Sequence, residues 1–514
     1  MLKGVVPEKS DVFPAAWRGK AEIRLRTELP GPRARRWVEH YARYAAPSTH
    51  PYPFVWDVLA PAEGPFCSDP DGNVLLDFHC HVAAAPLGYN HRTILRDCGI
   101  PFDPFKPAYH DAYLAAGPEP DGPLPSGEAV SEPREVLKVR TPGHLQERLV
   151  ETARPFGFDC IFFTNSGAEA VSNAIKIALH QRFRHVRAAL GEGGFRQLFH
   201  QMGIQENLVF PGLYEDYPFF GLAARGGFHG RTLDVLSATH SKRIHKEGLS
   251  TLRWIRHFSF NDPNLEPLID PTPLTVLLRE ERLARTVFEE RKIPQELLAF
   301  VMLEPIQGEG GFVFPEPGFL PKVAAFAQAH GALLIMDEVQ AGLGRTGRWW
   351  ASEHFGVKPD LITSAKALRV GTVMGRRRDF PVTPSVLSTT WGGGALATSV
   401  GCRTVEVIEE EGLLENVRDQ GNFLLSRLQE MAERHPVVCN PRALGLMAAI
   451  DLPTEELRDA LVQVAFRRGL LTLGCGERGL RFLPPLDVRR REIEIAMSVL
   501  EASMQELEKE SPTI

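Results

Sequence analysis

Lys366 closes the run Pro359-Asp360-Leu361-Ile362-Thr363-Ser364-Ala365, a short apolar pattern that ends among small residues. A lysine so placed is either a surface side chain laying its stem along apolar neighbours or an enclosed amine. Enclosure lowers its pKa and frees it to bond a carbonyl carbon as a Schiff base. Upstream, Leu333-Leu334-Ile335-Met336 run into Asp337-Glu338, so a carboxylate stands at the end of a second strand pattern. Further upstream lies Thr164-Asn165-Ser166-Gly167-Ala168-Glu169-Ala170, where Ser166 and Glu169 have the spacing of a capping box at a helix start. That segment reads either as a well-capped helix or as an anion site. For the anion site, Gly167 lets a backbone come close, and the unspent N–H groups of a helix start favour a phosphate.

Other chemistries fail on spacing. Four apolar residues ending in Asp-Glu resemble the metal-binding strand of an NTPase, yet the chain has no G-x-x-x-x-G-K-[ST] phosphate loop. Gly342, Gly344 and Gly347 spell G-x-G-x-x-G, but here the acids stand between strand and glycines. A dinucleotide fold places the glycines directly after the strand. His79-Cys80-His81 looks metal-like; on a strand, however, the two histidines face one side and Cys80 the other, so three ligands do not converge. No metal site is expected.

These residues need elements to hold them. The runs 160–163, 297–303 and 332–336 read as buried strands, each followed by a polar, Gly-containing loop. That is the pattern of a mainly parallel sheet flanked by helices. Ala168, Val171, Ala174, Ile175 and Ala178 form one helical stripe. A turn at 67–73 joins strand patterns at 64–67 and 74–78. Residues 405–433 and 491–508 read as amphipathic helices, and in the latter Ile493, Ala496, Met497, Leu500, Met504 and Leu507 share a face. Residues 99–135, rich in Pro, Gly and acids, read as a surface insertion, and 180–217 as a second irregular stretch.

Composition bounds the partners. The 514 residues include 58 Lys and Arg against 64 Asp and Glu, a net charge of -6, whereas a nucleic-acid binder carries a basic excess. The longest apolar run, 297–303, falls far short of the roughly 20 residues that cross a bilayer. Residues 1–20 lack both a hydrophobic signal core and an Arg-rich, acid-poor transit pattern. Seven cysteines without a C-x-x-C pair suit reduced thiols. The expectation is a cytoplasmic protein with no nucleic-acid or membrane partner.

Taken together, the helix start, the acid at a strand end and the later lysine describe a pyridoxal-phosphate site. The chain resembles the class III, fold-type-I aminotransferases, nearest the 4-aminobutyrate and lysine 6-aminotransferase branch. The stretches that carry the resemblance are 166–170, Phe228-His229-Gly230-Arg231-Thr232, 304–311, Asp337-Glu338-Val339-Gln340, Lys366, Ser388-Thr389-Thr390-Trp391-Gly392-Gly393 and Leu480-Arg481-Phe482. They stand in family order across roughly residues 20 to 505. The resemblance implies an α/β fold: a large domain with a mainly parallel central sheet flanked by helices, and a smaller α+β domain built from both chain ends. The domains are expected at 1–105 (N-terminal segment), 106–387 (large, with insertions near 99–135 and 181–217) and 388–514 (C-terminal).

The same resemblance assigns roles. Lys366 holds pyridoxal 5'-phosphate through a Schiff base and moves the proton as general acid–base. Asp337 faces the pyridine nitrogen; at about 4 Å and an effective dielectric of about 20 its charge contributes on the order of 4 kcal/mol, enough to keep the ring protonated. Val339 and Phe228 sandwich the ring, Gln340 reaches its phenolic oxygen, and the backbone of Ser166, Gly167 and Ala168 takes the phosphate. Thr390 reaches the phosphate of the other subunit, so a homodimer with shared active sites is implied. Arg231 grips the carboxylate of an ω-amino acid, and Lys242 is a second cation. Arg481 takes the α-carboxylate of 2-oxoglutarate or glutamate, with Glu309 as its switchable partner, since a guanidinium fork matches a carboxylate.

The implied reaction is a ping-pong transamination from an ω-amino acid to 2-oxoglutarate, giving a semialdehyde and glutamate. The first choice of donor is 4-aminobutyrate, on Thr239-His240-Ser241-Lys242 and Leu473-Gly474-Cys475-Gly476. Lysine or ornithine is the alternative, and the scaffold also hosts amino-acid racemases. Three departures stand out. Gly392-Gly393-Gly394 replaces the usual Gly-Gly-Asn, 369–374 leans toward the lysine-aminotransferase pattern, and Ser166 and Glu169 occupy positions where animal 4-aminobutyrate enzymes carry cluster-binding cysteines. No iron–sulfur cluster is expected.

Overall fold

The computed structural model describes residues 17–44, 54–57, 60–97 and 140–510. The surface insertion expected at 99–135 lies outside the described residues. The chain divides into two compact units, one of Met1–Gly99, Gly344–Gly347 and Glu406–Ile514, the other of Ile100–Leu343 and Arg348–Val405.

The second unit is built on a seven-stranded sheet. Its strands run in the order Cys160–Thr164, Gly371–Gly375, Leu361–Ser364, Leu333–Asp337, Leu298–Leu303, Phe220–Ala224, Ile255–Phe258. Gly371–Gly375 is antiparallel to both neighbours, and the other pairings are parallel. The strands Leu298–Leu303 and Leu333–Asp337 are buried along their whole length, as strands covered on both faces must be, which is why they read as continuous apolar runs. All three strands expected in this part of the chain are present.

The helix after the first strand is longer than the sequence suggests. It runs Gly167–Gln201, through half of the stretch read as irregular at 180–217, with one break at Gly191 (φ 62, ψ 176). The glycines at 191, 193 and 194 read locally as a loop. The structure overrides them by burying Phe195, Leu198 and Phe199, and Phe199 stacks on Tyr214 with ring centroids 3.7 Å apart.

The first unit holds an antiparallel sheet ordered Cys439–Leu444, Met447–Asp451, Gly479–Phe482, Leu473–Cys475. A smaller sheet contains the expected hairpin, Phe66–Ser68 with Val74–Asp77, joined in parallel by Leu470–Leu471. The amphipathic segment expected as one helix over 405–433 is two, Ala395–Glu410 and Leu413–Arg434, divided at Gly412 with φ 63. The final helix is Arg490–Glu510.

His79-Cys80-His81 is not on a strand. Cys80, His81, Val82 and Ala83 have φ of 44, 51, 58 and 65, one left-handed turn made without glycine. Asp77 holds its entry: Oδ1 accepts from the His79 and Cys80 N–H groups, each at 2.9 Å. Tyr89 donates to Asp77 Oδ2 at 2.6 Å, and Trp56 Nε1 donates to the Tyr89 oxygen at 2.6 Å.

Candidate active site

The parallel strands of the second unit deliver their loops to one end of the sheet, where ligands bind in open α/β folds. A pocket of about 420 Å³ opens there, lined by residues 165–168, 228–231, 304, 309, 337, 339, 340, 365, 366, 369 and 370. Five of those segments were singled out in the sequence for chemistry, and folding brings them together.

At the helix start, Ser166 is the N-cap in extended conformation (φ -147, ψ 166) and its Oγ accepts from the Glu169 N–H at 3.2 Å. Only this half of the expected capping box forms. The Glu169 carboxylate instead accepts from the Asn165 N–H and Nδ2, both at 2.9 Å. The first N–H groups of a helix have no intrahelical acceptor, and Gly167 and Ala168, which open this helix, line the pocket. A Cβ on Gly167 would stand 3.0 Å from Val339 Cγ1 and 3.5 Å from Ala365 Cβ, so glycine keeps this wall open.

Asp337 ends its strand with both oxygens occupied. Oδ2 lies 2.8 Å from His229 Nδ1, and Oδ1 accepts from Thr363 Oγ1 at 3.0 Å and from the Val339 N–H at 3.1 Å. The adjacent Glu338 points elsewhere and is fully hydrogen-bonded to the Ala351 N–H, the Ser352 N–H and Ser352 Oγ. Burial pushes the Glu338 carboxyl up to about 7. Lys366 follows the strand Leu361–Ser364 after Ala365 (φ -160, ψ -73) and opens a single turn, Lys366–Leu368, at the pocket wall.

Phe228 and Val339 both line the pocket, and the Phe228 N–H donates to Glu304 Oε1 at 2.9 Å. Glu304 Oε2 accepts from the Gly308 N–H at 3.0 Å. Burial, reinforced by the Asp337 charge, pushes the Glu304 carboxyl up to about 7, with His229 and the two backbone donors pulling against it. Gln340 is buried, and its Oε1 has no hydrogen-bond partner among the described residues. An aromatic aldehyde phosphate fits this inventory: an anion cradle, an acceptor carboxylate, an amine, two apolar walls and a polar amide awaiting a partner.

The residues expected to bind substrate are distributed more widely. Arg231 and Glu309 line the pocket. Lys242 caps the short turn Arg243–His245, outside the lining. Arg481 is buried on the strand Gly479–Phe482 of the first unit, opposite Ala449 and Leu473. Thr390 is exposed, while its neighbour Thr389 accepts from Asn165 Nδ2 at 3.1 Å. Sequence reasoning missed His229, Glu304 and Thr363 as members of the site. All three lie inside stretches already singled out, but nothing local marks their side chains as facing Asp337 or the Phe228 loop. Among the described residues, no group of three His, Cys, Asp or Glu side chains could hold a metal ion, and no helix is long and apolar enough to cross a membrane.

Comparison with known proteins points the same way. The family model described as aminotransferase class-III matches residues 129–504. An L-lysine-epsilon aminotransferase of Mycobacterium bovis is 36% identical over 370 residues, covering 70% of this chain and 76% of that protein. A 4-aminobutyrate aminotransferase of Dictyostelium discoideum is 30% identical over 505 residues, 97% of this chain and 93% of that one. Among solved structures, the lysine aminotransferase from M. tuberculosis in the internal aldimine form superposes with a TM-score of 0.70 at 29% identity, covering 92% of this chain and 99% of that chain.

Proposed function

Because the chain belongs to the class-III aminotransferases, enzymes of fold type I that depend on pyridoxal 5'-phosphate, we propose that it moves the ε-amino group of L-lysine to 2-oxoglutarate. The products are a semialdehyde and glutamate, formed in alternating half-reactions. The observation that carries this reading is the 36% identity to an L-lysine-epsilon aminotransferase, supported by the likeness to a solved lysine aminotransferase. The 369–374 segment agrees with it. Lysine therefore takes precedence over 4-aminobutyrate, the first choice on sequence alone, which keeps second place on the Dictyostelium relative.

When bound, the cofactor supplies an aldehyde that takes up the amino group and a ring that draws electrons from the carbon losing its proton. The chain supplies the rest. Lys366 Nζ would hold the cofactor and would carry the substrate's proton as general acid–base. Asp337, oriented by His229, Thr363 and the Val339 N–H, would supply the negative charge that keeps the ring nitrogen protonated. The helix start at Ser166, Gly167 and Ala168 would take the phosphate, and Gln340 Nε2 would donate to the ring oxygen. Arg231 grips the donor's carboxylate, with Lys242 as a nearby cation, while Glu309 and Arg481 are assigned to the switch between donor and keto acid on the resemblance alone. On the same ground Thr390 serves the other subunit of a homodimer, while the cytoplasmic reading rests on seven cysteines without a C-x-x-C pair.

The test is a panel of amino donors with 2-oxoglutarate, following glutamate. L-lysine as the fastest donor supports the proposal; 4-aminobutyrate as the faster one installs the second reading. Inversion of a chiral amino acid without any keto acid would assign a racemase instead.

A further inference from the structure

His245 belongs to none of the stretches that carry the family resemblance, yet it touches the residue assigned to the donor's carboxylate. Its Nε2 lies 3.1 Å from Arg231 Nη2, and its Nδ1 lies 3.2 Å from Ser241 Oγ. Its ring meets the edge of Phe228 with centroids 5.5 Å apart, and the Arg231 guanidinium sits 5.9 Å from the same Phe228 ring. Phe228, Arg231 and His245 thus form one group, of which Phe228 and Arg231 line the pocket.

The chemistry fixes the tautomer. A guanidinium can only donate, so His245 Nε2 must present its lone pair, and the ring proton sits on Nδ1, where it donates to Ser241 Oγ. A neutral ring is what the surroundings favour. Burial, with the Arg231 and Lys242 cations close by, holds the His245 pKa below the ordinary imidazole value, and the Glu309 carboxylate opposes them. The His245 N–H donates to the Lys242 carbonyl at 3.2 Å, and the neighbouring loop is tied to Ser237. The turn Arg243–His245 is followed by Lys246, whose Nζ donates to the Ser237 carbonyl at 3.1 Å. The Leu252 N–H donates to Ser237 Oγ at 2.7 Å.

We propose that His245 is a positioning residue that holds Arg231 in its carboxylate-gripping stance and so sets how far along the pocket a donor's carboxylate is drawn. The role rests on the reading of Arg231 as the carboxylate residue. One N–H of the five is spent on His245, which pins the guanidinium against the Phe228 ring and leaves a fork to meet a carboxylate in a defined direction. Without His245 the arginine keeps its charge and loses its aim. Carboxylate recognition then weakens while the chemistry at Lys366 is untouched.

The experiment uses the holoenzyme, its His245→Ala and His245→Gln variants, and two donors that differ only by a carboxylate, L-lysine and pentane-1,5-diamine. His245→Ala is expected to raise KM for L-lysine roughly threefold to tenfold, the effect of one hydrogen bond. The kcat for L-lysine and both constants for the diamine stay unchanged. His245→Gln, whose Oε1 can accept the same Arg231 N–H, restores KM. Equal losses for both donors, or no loss for L-lysine, overturn the proposal. Calorimetric binding of pentanoate, with Arg231→Ala as the reference for loss at this arginine, reads the same contact without turnover. Weaker binding in His245→Ala and recovery in His245→Gln support the role even if neither amine proves to be a substrate, which would sink the donor assignment alone. Pentanoate affinity unchanged by His245→Ala overturns it even if lysine is turned over.

Discussion

His229 Nδ1 stands 2.8 Å from Asp337 Oδ2, and both side chains are closed off from solvent. The histidine is pinned from behind, its backbone N–H donating to Thr239 Oγ1 at 2.9 Å. An ionised carboxylate only accepts, so His229 carries its proton on Nδ1 and acts as a clamp on the direction of the acid. Replacing His229 with Ala should loosen Asp337 and weaken cofactor binding by roughly tenfold to a hundredfold, as loss of a hydrogen bond to a charged group does. Titrating the apoenzyme with pyridoxal phosphate and following its absorbance measures this. An unchanged affinity would detach the pair from cofactor binding.

Lys366→Ala should end turnover altogether while leaving the thermal unfolding temperature near that of the parent. Borohydride treatment of the loaded parent enzyme should fix the cofactor to a peptide containing residue 366. Near-normal transamination by the variant would rule out the assignment.

Gly167→Ala places a methyl group 3.0 Å from Val339 Cγ1, tighter than ordinary packing contact. The methyl occupies the gap between the helix start and the Val339 wall, so cofactor affinity should fall about tenfold or more while the helix, which prefers alanine to glycine, still forms. Cofactor binding equal to that of the parent would show that this wall lies away from the ring and phosphate.

In the first unit, His435 bridges Glu508 at 2.7 Å and Glu501 at 2.8 Å, fastening the end of Leu413–Arg434 to the final helix. Against the cost of burial, the bonds to Glu508 and Glu501 hold the His435 pKa above its ordinary value. The Arg434 hydrogen bond, with His435, holds Glu501 down to about 2. A raised histidine stabilises fully below its unfolded pKa, about 6.5, and the gain is lost as pH rises through the folded value. A depressed glutamate stabilises above about 4.5, and that gain is lost as pH falls toward the folded value. The clamp is therefore strongest between those limits. His435→Ala should cost about 1–2 kcal/mol at pH 6 and distinctly less at pH 9. Denaturant midpoints at the two pH values decide it; equal losses would mean that the histidine's charge plays no part.

Val82, a β-branched residue at φ 58, sits inside the left-handed turn. Such a conformation costs roughly 1–2 kcal/mol per residue, and glycine escapes it at an entropic cost of about 0.5–1 kcal/mol. Val82→Gly should leave stability level or raise it by up to about 1 kcal/mol, where most substitutions destabilise. A clear fall in the unfolding temperature would show that the Val82 side-chain contacts outweigh the strain.

The chemistry at strand ends was legible because it is local. An apolar run, an acid and then small residues around a lysine mark where a parallel strand stops, so Asp337 and Lys366 stand out without any knowledge of what they face. The same locality explains the errors. Glycines at 191, 193 and 194 look like a loop until aromatic packing carries the helix past them, and His79-Cys80-His81 looks like a strand until Asp77 and Tyr89 hold it in a left-handed turn. His229 and Asp337 meet only because the strand order sets Leu298–Leu303 between Phe220–Ala224 and Leu333–Asp337, and no spacing in the chain encodes that. The sequence alone determined which groups could do the chemistry and in what order they come. The tertiary structure decided which atoms hold them in place, since hydrogen-bond partners far apart in the chain are selected by sheet order and side-chain packing.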